Sequence, residues 1–152
     1  AGDIIIHASG VNDQNTGRLF TAVSGTGKST MARIWKEAGA EVINDDRLWL
    51  HKENGLWTLF NTPMPYYAQP PLKGSLHEIF LLHQSPVNEI RKLSGANAAM
   101  RFMANGIQHF YDKEMTGQHL DRVMDIAAQT PIYDCGFRPT GEIVEEIRNL
   151  GQ

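Results

Sequence analysis

The segment Ala22-Val23-Ser24-Gly25-Thr26-Gly27-Lys28-Ser29 constrains the fold of this chain more than any other. It fits the phosphate-loop pattern, with alanine at the first position where glycine is commoner. A loop of this kind works between a strand and the helix that the strand feeds, and both flanks are present. Arg18–Val23 reads as a strand. From Lys28 to Ala38 the apolar residues Met31, Ile34, Trp35 and Ala38 fall at i, i+3, i+4 and i+7, one helical face, and Gly39 stands where a C-cap belongs. Gly25 and Gly27 let the backbone fold tightly with its N–H groups turned inward. Those donors and the positive end of the following helix attract phosphate oxygens. Lys28 reaches the β- and γ-phosphates as a mobile cation, and Ser29 offers a hydroxyl to Mg²⁺.

A second feature follows the predicted helix. Ala40–Asn44 is a short strand, expected beside the phosphate-loop strand, and it ends in Asp45-Asp46. Successive residues at a strand end point to opposite faces, so the pair can split roles, one toward a metal and one toward a reacting hydroxyl. Phosphoryl transfer needs both: charge neutralisation by Mg²⁺ and a group that takes the nucleophile's proton. Asp3–His7 is another short apolar run, rich in isoleucine, and His7 closes it. If that strand neighbours the other two, His7 emerges at the carboxyl edge where open α/β sheets bind ligands.

The remaining pattern continues an α/β chain. Arg47–His51 and Leu56–Phe60 flank Asn54-Gly55, a strong hairpin signal. Val11–Gly17 carries turn chemistry, and the proline-rich stretch from Asn61 to Pro71 reads as an irregular loop. Glu78–Leu82 and Pro131–Phe137 read as strands. Ser85-Pro86 is a candidate helix start. Asn97–Met103 reads as a helix that Asn105-Gly106 ends or breaks. Leu120, Val123, Met124 and Ala127 mark another, and a last helix buries Ile143, Val144, Ile147 and Leu150 with Thr140 as its N-cap. Met100, Met103, Met115 and Met124 read as core filling. Trp57, Phe60, Tyr66 and Tyr67 read either as pocket lining or as core. His77 and His83, six apart, share a strand face without a third metal ligand.

Composition narrows the functional classes. The 152 residues amount to one domain, expected to span 1–152, and 14 basic against 17 acidic residues leave a net charge of −3, too little positive charge for a nucleic-acid binder. The lone Cys135 excludes a disulfide framework within the chain and fits a cytoplasmic setting. No apolar stretch is long enough to span a membrane. Ala1–His7 has no basic leader and is expected to begin inside a sheet.

Three motifs, His7-Ala8-Ser9-Gly10-Val11, Ser24-Gly25-Thr26-Gly27-Lys28-Ser29-Thr30 and Asn44-Asp45-Asp46-Arg47, together resemble the catalytic domain of HPr kinase/phosphorylase. The likeness lies in residues 7–47 and is looser beyond them. It implies a mixed β-sheet with a P-loop, the core that this family shares with phosphoenolpyruvate carboxykinase. It also implies an ATP-dependent serine kinase in which Ser24–Thr30 bind nucleotide and Lys28 and Ser29 hold phosphate and Mg²⁺. By the same resemblance Asp45 is the catalytic base, supported by Asp46 and His7, with Asp46 also toward the metal. The bifunctional members carry a metal-binding glutamate in a Glu-x-Arg-Gly element, where this chain has Pro71-Leu72-Lys73-Gly74. Their Pro-Gly-Arg-Asn loop has no counterpart here; Arg91 and Arg101 are generic candidates. The expectation is therefore a stand-alone kinase with ATP and Mg²⁺ as cofactors and a serine-containing protein or peptide as acceptor. It has no nucleic-acid or membrane partner, and a homo-oligomer is left open. A non-catalytic nucleotide-binding module and a small-molecule kinase are the alternatives.

Overall fold

The computed structural model describes residues 4–23, 27–61, 72–106 and 113–150; the side chains of 113–119 are not described. The first half runs β1 (Ile4–His7), β2 (Ser9–Asp13), β3 (Thr16–Thr21), α1 (Lys28–Glu37), β4 (Glu41–Asn44), β5 (Arg47–Glu53) and β6 (Leu56–Phe60). The second half runs β7 (Lys73–Gln84), β8 (Glu89–Leu93), α2 (Gly95–Gly106), α3 (Lys113–Gln129), β9 (Ile132–Phe137) and α4 (Glu142–Arg148).

The strands join one mixed sheet in the order β1-β5-β6-β7-β3-β2-β4, with β9 pairing β7 and β8. The twelve-residue β7 is the spine. Its first residues pair antiparallel with β6, and its later ones run parallel to both β3 and β9. Ile79-Phe80-Leu81-Leu82 is buried without interruption, as a strand covered on both faces must be. Alternation then sorts side chains into two cores. Leu19, Ile79 and Leu81 join Phe102 and Met103 of α2 and Val123 and Ile126 of α3. Phe20, Phe80 and Leu82 join Met31, Ile34 and Trp35 of α1 and Ile143, Val144 and Ile147 of α4. Phe20 stacks on Phe80 at 5.3 Å, and Phe80 on Tyr133 at 5.2 Å.

Several local expectations hold. Asn54 and Gly55 adopt φ of 52° and 82° in the two-residue turn between β5 and β6, and Gly39 closes α1 with φ 97°. Others are corrected. Val11–Gly17 is mostly strand: only Gln14 and Asn15 turn, both at positive φ although neither is glycine. Ser85-Pro86 starts no helix but leads β7 into β8, a strand the sequence pattern did not reveal. Thr140 does not cap α4; Gly141 occupies that position, and the buried Thr140 hydroxyl has no partner among the described residues. Met100 and Met124 are about half exposed, so only Met103 of the described members of that set fills the core. Trp57 and Phe60 are core residues; Tyr66, Tyr67 and Met115 lie outside the described side chains.

Candidate active site

The parallel strands β3, β7 and β9 end at one edge of the sheet, with Thr21 opposite Leu81 and Gln84 opposite Phe137. β4 also runs toward this edge, because both it and β3 are antiparallel to β2. The expectation that β4 neighbours the phosphate-loop strand is thus corrected: β2 is hydrogen-bonded between them. The β2–β3 hairpin returns the chain to that edge before α1 begins, and so fills the place beside β3.

The edge collects the candidate residues from three segments. β1 pairs with β5, not with β3 or β4, and aligns His7 with Arg47. His7 still reaches the loop strand, because its carbonyl accepts a hydrogen bond from Thr21 Oγ1 at 2.7 Å. The same hydroxyl lies 3.3 Å from the Asn105 carbonyl at the end of α2. Ala8 N donates to the Asp46 carbonyl at 3.0 Å. Ser9 Oγ donates to the Lys28 carbonyl at 3.0 Å, tying the start of β2 to the first turn of α1. Asp45 and Asp46 occupy the tight bend between β4 and β5 rather than a strand end, so strand alternation does not assign their directions. Asn44 shapes that bend: its Oδ1 accepts from Asp45 N at 2.9 Å and its Nδ2 donates to the Arg47 carbonyl at 2.6 Å. Both carboxylates are exposed.

Of the phosphate-loop residues, Gly27, Lys28, Ser29 and Thr30 are described, whereas Ser24, Gly25 and Thr26 lie outside the described residues. Gly27 caps α1 at φ 104°, and its carbonyl accepts the first helical bond from Met31 N at 2.8 Å. A side chain there is strained by the left-handed backbone, and its Cβ would sit 3.5 Å from the Phe137 ring. We expect Gly27→Ala to lower stability by about 1–2 kcal/mol, read as a reduced urea midpoint. The α1 start has no side-chain cap and no acidic residue in its first turn, so its leading N–H groups are left to the loop side. Lys28 is 6% exposed. Among the described residues no carboxylate pairs with its ammonium. A buried cation is costly without an anionic partner, and an anion at the helix start would supply one. Beside it opens a cleft of about 560 Å³ lined by Gly27, Thr30, Arg33, Gln84 and Phe137.

The sequence reading missed a polar chain at the ends of β7 and β9. Asp134 accepts from Arg101 at 2.6 Å and lies 3.2 Å from His83 Nε2. Burial raises the Asp134 pKa, but the hydrogen bonds from Arg101 and His83 outweigh it, and the carboxyl is held below its usual range. His77 and His83 do share β7, yet they serve different neighbours, since His77 Nδ1 accepts from Gly17 N at 3.0 Å. Among the described residues no three His, Cys, Asp or Glu side chains gather as a metal site. Cys135 is buried, and that burial pushes its thiol up to about 12, which removes it as a nucleophile near neutral pH. Among the described residues no helix is long and apolar enough to cross a membrane.

No family model and no curated protein matches the sequence. Among solved structures, the fold is similar to that of the Hpr(Ser) kinase/phosphatase from Coxiella burnetii, with a TM-score of 0.56 and 13% identity over 96% of this chain and 95% of that chain. The likeness extends across nearly the whole length of both chains, and what it establishes is architecture: an α/β fold built on a mixed sheet.

Proposed function

We propose that this chain binds MgATP at the start of α1 and transfers the γ-phosphoryl group to a serine hydroxyl of a protein or peptide. One observation carries the reading: Lys28, a buried cation without a paired carboxylate among the described residues, sits where a strand of the parallel set hands over to a helix N-terminus. Phosphate is the anion that such a place receives. Backbone N–H groups of the loop and the α1 start hold the phosphate chain, Lys28 draws the β- and γ-oxygens, and Ser29 with Asp46 would hold Mg²⁺. The ion supplies neutralisation of charge on the phosphate oxygens.

The remaining roles belong to the opposite flank of the edge. Asp45 accepts the acceptor's hydroxyl proton as the new O–P bond forms and the bond from the γ-phosphorus to its bridging oxygen breaks, leaving ADP. His7 supports the acid pair through the β1 end, where Ala8 N holds the Asp46 carbonyl. Catalysis of this kind rests on positioning and charge stabilisation more than on covalent chemistry.

A thermal-shift titration tests the binding half. At a hundredfold excess over Kd, MgATP is expected to raise Tm by about 5–10 °C, and Lys28→Ala to remove most of that rise. If ATP, GTP and pyrophosphate all leave Tm unmoved, the kinase reading and its nucleotide-binding alternative fall together. A Tm rise without transfer to any serine acceptor supports the non-catalytic module instead.

A further inference from the structure

The same sheet edge carries a second hollow, which shares Gln84 with the first. It measures about 530 Å³ and is lined by Val23, Leu81, His83, Arg101, Asn105 and Asp134 among others. Asn105 is the unusual member. It is 6% exposed, and only its backbone carbonyl is engaged, by Thr21. Among the described residues its side-chain amide has no hydrogen-bond partner. Buried polar groups are normally satisfied, so an unpartnered amide on a residue that lines a hollow is set to meet what fills it.

The shape of an amide restricts the ligand. Asparagine presents a donor and an acceptor side by side. The N–H and C=O of one residue in an extended chain point the same way and match it, as they do across a strand pair. A nucleobase edge matches too. However, among the described residues no Phe, Tyr or Trp lines this hollow to stack a base, whereas Phe137 lines the other cleft. The charged part of the wall is already engaged, since Asp134 holds both Arg101 and His83, and Gln84 is the other polar side chain of the lining. Val23, which immediately precedes the loop, is 70% exposed and offers apolar contact.

We infer that Asn105 reads the backbone of an extended acceptor segment in this hollow, next to the phosphate loop. The inference rests on the kinase reading for its direction, but it can fail separately. The test is titration of the full-length, nitrogen-labelled chain with N-acetyl-L-serine N-methylamide, followed at the Asn105 side-chain NH₂ signals. Saturable shifts of those signals are expected, together with shifts at Val23. Asn105→Asp keeps the acceptor and loses the donor; it is expected to weaken the blocked serine about fivefold and to leave MgATP affinity unchanged. Where that variant does not fold, the wild-type shifts decide alone. Shifts driven by adenosine rather than blocked serine, no saturable shift from either, or an unweakened variant would each overturn the inference. Loss of MgATP binding with the blocked-serine shifts intact would instead sink the kinase reading and leave Asn105 as an amide-binding residue.

Discussion

Asp45→Asn is expected to bind MgATP as wild type does and to transfer the γ-phosphoryl group about 10²–10⁴-fold more slowly. The substitution keeps shape and removes only the capacity to take a proton. It should cost little stability, because Asp45 is exposed and the hydrogen bond that orders the bend uses its backbone N–H, not its carboxylate. Asp46→Asn should behave differently, since Asp46 is assigned to the metal: its loss raises the Mg²⁺ concentration needed for half-maximal turnover. Single-turnover transfer to a serine acceptor, with nucleotide affinity measured in parallel, separates the two. Wild-type transfer by Asp45→Asn would remove the base assignment while leaving the nucleotide site in place.

Local elements around the candidate site are legible in the sequence, and their arrangement is not. Periodicity and loop chemistry located α1, the Asn54-Gly55 hairpin and the carboxylate pair, because each is written in a few adjacent residues. Strand order is not local. Nothing in Ser9–Asp13 announces that it will lie between β3 and β4, and the Gln14-Asn15 turn lacks the glycine that marks most tight hairpins. β8 was missed for a similar reason: Glu89-Ile90-Arg91-Lys92-Leu93 is largely exposed and does not alternate clearly. The Asp134–Arg101–His83 chain joins residues up to 51 apart in sequence, and it takes both the parallel pairing of β7 with β9 and the packing of α2 against them to bring these residues together. Asn105-Gly106 reads as a helix stop, yet both residues are still within α2; the burial of Asn105 beside a hollow is a tertiary fact.

The largest loss of stability is expected at the far end of the sheet from the site. Asp13 accepts from Arg148 at 2.9 and 3.0 Å and from Arg18 at 3.0 Å, and Arg18 also reaches Glu78 at 2.7 Å. The two guanidinium groups lie 4.9 and 5.6 Å from the Trp35 ring. One carboxylate thus lets two cations share an aromatic ring and joins the β2–β3 hairpin to α1 and α4. Asp13 and Arg18 are both nearly inaccessible. Asp13→Asn leaves Arg18 buried beside a second cation with less compensation, at a cost of about 3–5 kcal/mol at pH 7, seen as a lower urea midpoint. The pH dependence fixes the cause. The Arg148 hydrogen bonds, with Arg18 behind them, hold the Asp13 carboxyl below its usual value against the opposing effect of burial. A lowered folded pKa gives stability that is complete above the unfolded value, about 4, and is lost as pH falls through the folded one. The gap between wild type and Asp13→Asn should therefore be flat from about pH 5 to 8 and shrink below about pH 4. A gap that stays undiminished in acid would mean that the residue acts through shape and hydrogen bonding rather than charge.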